Sequence, residues 1–202
     1  MFDDVFRALK DRLLAPLARG LGPGVSPLAV TLLSFLAGLL AAGLLARRSY
    51  EAALAAWLAS RFLDGLDGTL ARVHGRSSEL GGYLDLLLDF AVYALVPVAL
   101  VLGAPSPANW RALSFLLSAF YVNAASWMYL AAVLERRGRG AAARNELTTV
   151  TMPAGIVAGT ETIVFYTAFM LWPGHAATLF TLMGILVLGG VGVRVVWAWR
   201  HL

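Results

Sequence analysis

The chain has 202 residues, 59% of them hydrophobic and 14% charged, with mean hydropathy +0.74 and a formal net charge of +4. This composition excludes an ordinary soluble domain and predicts a polytopic membrane protein. The absence of cysteine also excludes disulfides and thiolate metal sites.

The amino-terminal segment sets Phe2, Val5, Phe6, Leu9, Leu13 and Leu17 along one helical stripe, with Asp3, Asp4, Arg7, Lys10, Asp11 and Arg12 mostly elsewhere. Residues 1–20 are therefore expected to form an amphipathic interfacial helix on the cytoplasmic leaflet, which either recruits anionic lipid or merely orients the first span. No cleavable signal peptide is expected, because no cleavage signature follows the first apolar run. Apolar runs near the 20 or so residues that cross a bilayer core follow at about 28–46, 50–70, 81–102, 111–134, 150–172 and 176–199. The expected fold is an all-α, polytopic membrane bundle of about six transmembrane helices, forming one domain over residues 1–202.

Basic residues give the orientation. Arg7, Lys10, Arg12, Arg19, Arg72, Arg76, Arg136, Arg137, Arg139, Arg144 and Arg200 fall on one side of a six-span arrangement, and Arg47, Arg48 and Arg111 on the other. Both termini are expected in the cytoplasm, in a bacterial or archaeal cytoplasmic membrane. No nucleic-acid partner is expected.

The second span and the start of the third hold the chemistry. Residues 64–89 read DGLDGTLARVHGRSSELGGYLDLLLD, with four aspartates in a chain that otherwise avoids charge. An intramembrane carboxylate costs about 2.5–3.5 kcal/mol on insertion scales, so four together call for a compensating cation. Asp64 and Asp67 are three apart and Asp85 and Asp89 four apart, so each pair shares a helix face. Two such helices facing one another bring the four acids together just below the cytoplasmic interface, a natural site for a magnesium-type ion. Two classes of protein use such acids, a membrane transferase and an ion-coupled carrier. Carriers place them near the midplane between repeated halves, whereas these lie on one side in one hairpin with no second copy.

Asp64, Asp67, Gly68, Ala71, Arg72, Gly81, Asp85 and Asp89 match, position for position, the D-x2-D-G-x2-A-R-x8-G-x3-D-x3-D signature. The chain thus resembles the CDP-alcohol phosphotransferase (CDP-alcohol phosphatidyltransferase) family. The match spans 26 residues; a weaker echo at Ser26, Pro27 and Thr31 has Leu28 where many members have Asn. The resemblance implies phospholipid biosynthesis, in which a substituted phosphate passes from a CDP-linked donor to an alcohol with release of CMP. It implies Asp64, Asp67, Asp85 and Asp89 as the metal-site residues, with Asp89 beside the metals also acting as general base, and donor contacts at Asp64, Gly68, Ala71, Arg72 and Gly81. The implied cofactor is Mg²⁺ or Mn²⁺, as two ions, since a di-metal site neutralises a diphosphate and orients the attacking oxygen. CDP-diacylglycerol with a small polar alcohol is the favoured pair. A soluble CDP-alcohol with a lipid acceptor is the alternative, and a homodimer is the implied assembly.

Other polar residues are read less sharply. Arg61 lies one turn before Asp64 and is expected to pair with it, and His74 is expected in a loop. Arg144 is the candidate anion contact for a phosphorylated acceptor, or else one of several arginines that fix topology. Glu161, inside the fifth span, is either an acceptor contact or the partner of Arg194 or a threonine.

Overall fold

The computed structural model describes residues 13–139 and 155–202. Residues 13–21 are helical, followed by α1 (Pro27–Ala46), α2 (Tyr50–Val73), α3 (Glu79–Gly103), α4 (Pro107–Arg136), α5 (Gly159–Leu171) and α6 (Ala176–His201), with a 3₁₀ turn at Pro173–His175. Among the described residues no strand occurs.

Local chemistry sets several ends. Ser78 caps α3 by accepting from Gly81 N at 3.1 Å, and Ser106 caps α4 by accepting from Asn109 N at 3.0 Å. α2 closes with a Schellman motif, in which Gly75 N donates to Arg72 O and Arg76 N to Ala71 O. Gly75 takes φ +62, a left-handed conformation that glycine adopts without a steric cost. The carbonyls of Ala71 and Arg72, two signature residues, therefore terminate the helix that carries Asp64 and Asp67. α1 ends in the same bonding pattern with Arg48 at φ 60, and the Arg48 side chain donates to Gly103 O.

Two compact units are distinct: one contains α1, α2, α3 and Tyr166–Gly174, the other Ser106–Phe165 and α6. In the first, α1 packs along both α2 and α3. Its inner face is small and polar (Thr31, Ser34, Gly38, Ala41, Ala42), and its outer face exposes Leu32, Leu33, Leu36 and Leu40. That inversion of the soluble pattern suits a lipid solvent, where close packing of small residues joins helices. A Cβ at Gly38 would stand 2.7 Å from Val92 Cγ2 on α3, and one at Gly103 2.5 Å from Leu45 O, so both glycines permit the close approach of α1 and α3. Ser34 and Ser60 exchange hydroxyl-to-carbonyl bonds, 2.9 Å each, joining α1 to α2. In the second unit α4 packs on α6, with Gly184 against the ring of Phe115.

The expected count of about six spans is matched only in part among the described residues. Among the described residues four helices are long and apolar enough to cross a membrane: α1, α3, α4 and the stretch Pro173–His201. α2 has 24 residues, about 36 Å of helix, but Glu51, Arg61, Asp64, Asp67 and Arg72 make it too polar. α5 begins only at Gly159, because residues 155–158 are not helical, and its 13 residues are fewer than a crossing needs. The interfacial helix lies partly outside the described residues. Its described part places Leu13, Leu17 and Leu21 on an exposed apolar stripe and buries Ala18 against Val30, Leu66 and Leu70.

Candidate active site

The aspartate-bearing helices α2 and α3 are each laid against α1, and their own backbones approach closely at few positions. Side chains span the gap. Arg61 Nη1 donates to Asp89 Oδ1 at 2.8 Å and lies 3.6 Å from Asp64 Oδ1, with the Arg61 side chain only 5% exposed. Arg61, Asp64, Asp85 and Asp89 line one cleft, together with Thr31 and Ser34 of α1 and the apolar side chains of Phe35, Leu88 and Val92.

Three of the four signature aspartates therefore share the cleft. Asp67, one turn further along α2, is buried beside it, and Asp64 lies within electrostatic reach of Asp67, Asp85 and Asp89 as well as of Arg61. The donor set is carboxylate oxygen throughout, which is what a hard divalent cation takes. Four carboxylates against one guanidinium also leave a negative balance that such an ion would offset. By donor type and charge the residues fit Mg²⁺ or Mn²⁺. Among the described residues no three acidic or histidine side chains already close around one point.

The glycines and Arg72 frame the cytoplasmic end of α2. A Cβ at Gly68 would stand 3.2 Å from Arg72 Nη1, so this glycine gives the exposed guanidinium room to fold back over its own helix. Ala71 is half-buried in the last turn. Gly81, whose Cβ would meet Ser78 Oγ at 3.0 Å, sits in the capped first turn of α3. His74 lies in the interhelical turn as expected, with Nε2 3.0 Å from Ala18 O.

Arg144 lies outside the described residues. Glu161 accepts from Ala158 N at 3.0 Å and so caps α5, while Arg194 donates instead to Ser126 Oγ at 3.2 Å and Asn123 Oδ1 at 2.6 Å. Of the alternatives for Glu161, the pairing with Arg194 is not the one formed: Glu161 bonds within its own helix start, and Arg194 bonds across to α4. The expected pairing of Arg61 with Asp64 is present at 3.6 Å, and Asp89, 28 positions away, is closer still at 2.8 Å. Sequence spacing reveals neighbours on one helix but not the register between two. The roles of Ser34 and Ser60 were missed altogether. Their signal was available as serines recurring on the small-residue faces of apolar helices.

Comparison with known proteins follows this geometry. The family model described as CDP-alcohol phosphatidyltransferase matches residues 25–196. An inner membrane protein of Escherichia coli, YnjF, is 37% identical over 171 residues, 81% of this chain and 78% of that one. A CDP-diacylglycerol–serine O-phosphatidyltransferase of Mycobacterium tuberculosis is 37% identical over 92 residues, 46% of this chain and 32% of that protein. Among solved structures, phosphatidylinositol phosphate synthase of Mycobacterium tuberculosis with CDP-DAG bound has the same fold, with TM-score 0.70 and 21% identity over 93% of this chain and 94% of that one. The same enzyme in complex with manganese and citrate also matches at TM-score 0.70 and 21% identity, over 92% of this chain and 88% of that one.

Proposed function

The chain belongs to the CDP-alcohol phosphatidyltransferase family, membrane transferases of substituted phosphate groups, and we propose that it passes a phosphatidyl group from CDP-diacylglycerol to the hydroxyl of a small polar alcohol. The observation that carries this reading is the cleft in which Asp64, Asp85 and Asp89 of the signature meet, with Asp67 beside them. The CDP-DAG held by a solved protein of the same fold supports the choice of donor.

In the proposed reaction the acceptor oxygen attacks the phosphorus that bears the lipid. The bond from that phosphorus to the bridging oxygen breaks, its electron pair leaves with CMP, and the acceptor proton passes to the carboxylate of Asp89. A base must lie within hydrogen-bond reach of that proton, and Asp89 lies in the same cleft as Asp64 and Asp85. Asp64, Asp67 and Asp85 would hold Mg²⁺ or Mn²⁺, which supplies charge neutralisation for the diphosphate. Arg72, a planar fork suited to phosphate oxygens, takes the donor's diphosphate, while Gly68, Ala71 and Gly81 leave backbone accessible to the nucleotide. Arg144 is the proposed contact for an acceptor that carries phosphate.

The rest of the reading concerns topology. α2 is proposed to cross the bilayer as well, its charges being those of the site, and the cleft to open to the cytoplasm where a nucleotide headgroup resides. Residues 1–202 are proposed to work as one catalytic domain.

A CMP-release assay tests the function. Purified protein with Mg²⁺ and CDP-diacylglycerol should release CMP with one member of a panel containing serine, glycerol phosphate, inositol and inositol phosphate. Release only with a soluble CDP-aminoalcohol and diacylglycerol would overturn the choice of donor.

A further inference from the structure

Arg61 stands outside the eight signature positions, yet it forms the main bridge across the cleft. Its Nη1 donates to Asp89 Oδ1 at 2.8 Å and to the Tyr93 hydroxyl at 3.1 Å, and its Nη2 to Ser60 Oγ at 3.1 Å. The Tyr93 hydroxyl in turn donates to Asp89 Oδ2 at 3.4 Å. Both oxygens of Asp89 are therefore engaged by groups that are themselves held.

The holding frame is aromatic. The guanidinium lies 4.8 Å from the ring centre of Trp57 and 5.3 Å from that of Tyr93, distances at which cation and ring attract. Tyr166 stacks on Trp57 at 5.0 Å and packs edge-on to Tyr93, and its hydroxyl donates to the carbonyl of Tyr93. Trp57 and Tyr166 are fully buried. On the other side, Ser60 is tied to Ser34 of α1. Three helices and the end of α5 thus fix one guanidinium.

A carboxylate on a helix face has several rotamers, whereas a base must be aimed. We infer that Arg61, with the Tyr93 hydroxyl, is a positioning residue that holds Asp89 in the orientation from which it accepts the acceptor proton. The inference rests on the reading of Asp89 as the base. Arginine is specifically needed, because its planar fork reaches Asp89, Tyr93 and Ser60 at once, whereas a lysine ammonium is a point charge on a flexible stem.

The test uses Arg61→Lys, Tyr93→Phe, Asp89→Asn and the double variant Arg61→Lys/Asp89→Asn. Each is measured for kcat and donor KM by CMP release per folded protein, and for Mn²⁺ affinity by electron paramagnetic resonance. Arg61→Lys should lower kcat by about 100-fold, the scale on which misplacement of a reacting group acts. Donor KM and Mn²⁺ affinity should stay within about threefold, since the charge is kept and the proposed ligands are other residues. Tyr93→Phe, which removes only the hydroxyl, should lower kcat by a smaller factor in the same pattern. In the double variant the lysine should add nothing to the defect of Asp89→Asn, because residues that act as a unit are non-additive. A full multiplicative loss in the double variant would overturn the inference, as would wild-type kcat in folded Arg61→Lys. Wild-type turnover in Asp89→Asn would instead remove the base assignment on which the inference stands.

Discussion

Each of the two units buries an arginine within a helix, and the two guanidiniums are satisfied in opposite ways. Arg61 of the first unit is set among Asp64, Asp89, Tyr93 and Ser60 and lies over Trp57. Arg194 of the second is 5% exposed and has neutral partners, the amide oxygen of Asn123 and the hydroxyl of Ser126. Its Nη2 occupies the space left by Gly155, where a Cβ would stand 2.7 Å away. The first arrangement is an ionic frame whose members need one another, and removal of one strands the rest. The second is a polar seam among α4, α6 and the segment before α5, and its charge holds no carboxylate in place among the described residues.

The strongest test of that contrast is chemical. Asp64→Ala, Asp67→Ala and Asp85→Ala in the first unit should each reduce Mg²⁺-dependent CMP release to background, whereas Glu135→Gln in the second should leave it within about twofold, the scale of a neutral surface change. Near-normal rates in two of the three aspartate variants would break the assignment. Stability comes next. Arg61→Met should destabilise the protein by about 3 kcal/mol, the lower end for breaking a buried pair, because the acid side chains retain exposures of 26% and 24%. Arg194→Met should cost only about 1 kcal/mol, since it strands no charge and leaves only neutral, part-buried partners to be rehydrated. Unfolding in detergent measures both, and equal losses would erase the distinction. Packing offers a further contrast. Gly38→Ala drives a methyl against Val92, whose χ1 is stiff, and should cost about 1–3 kcal/mol. Gly184→Ala meets only the ring of Phe115, 36% exposed and able to swing aside, and should cost under about 1 kcal/mol.

Sequence reading served the two units unequally. In the first, spacing within α2 and α3 disclosed the two aspartate pairs, because i,i+3 and i,i+4 relations survive folding unchanged, and the resemblance to the family signature added the other positions. Arg61 was assigned to Asp64 on the same logic, and its closer partner Asp89 depends on helix register that no local spacing encodes. Tyr93, Trp57 and Tyr166 read as ordinary apolar content of membrane helices, although Tyr93 lies one turn after Asp89 and that spacing was visible. Hydropathy identified α1, α3, α4 and α6 as spans because their charges lie at their ends or are few. It also counted 50–70 and 150–172 as spans. In α2 the functional charges lower the apolar score, and in α5 the apolar run begins before the helix does.

Whether the aspartates of α2 and α3 form a cation-dependent phosphatidyl-transfer site is decided by anomalous diffraction from crystals grown with Mn²⁺ and a CDP-linked donor. Manganese peaks are expected between α2 and α3, liganded by Asp64, Asp67 and Asp85, with the donor's diphosphate against the same ions. Manganese bound at other carboxylates such as Glu135 or Glu161, with the donor distant from the signature aspartates, would contradict this assignment.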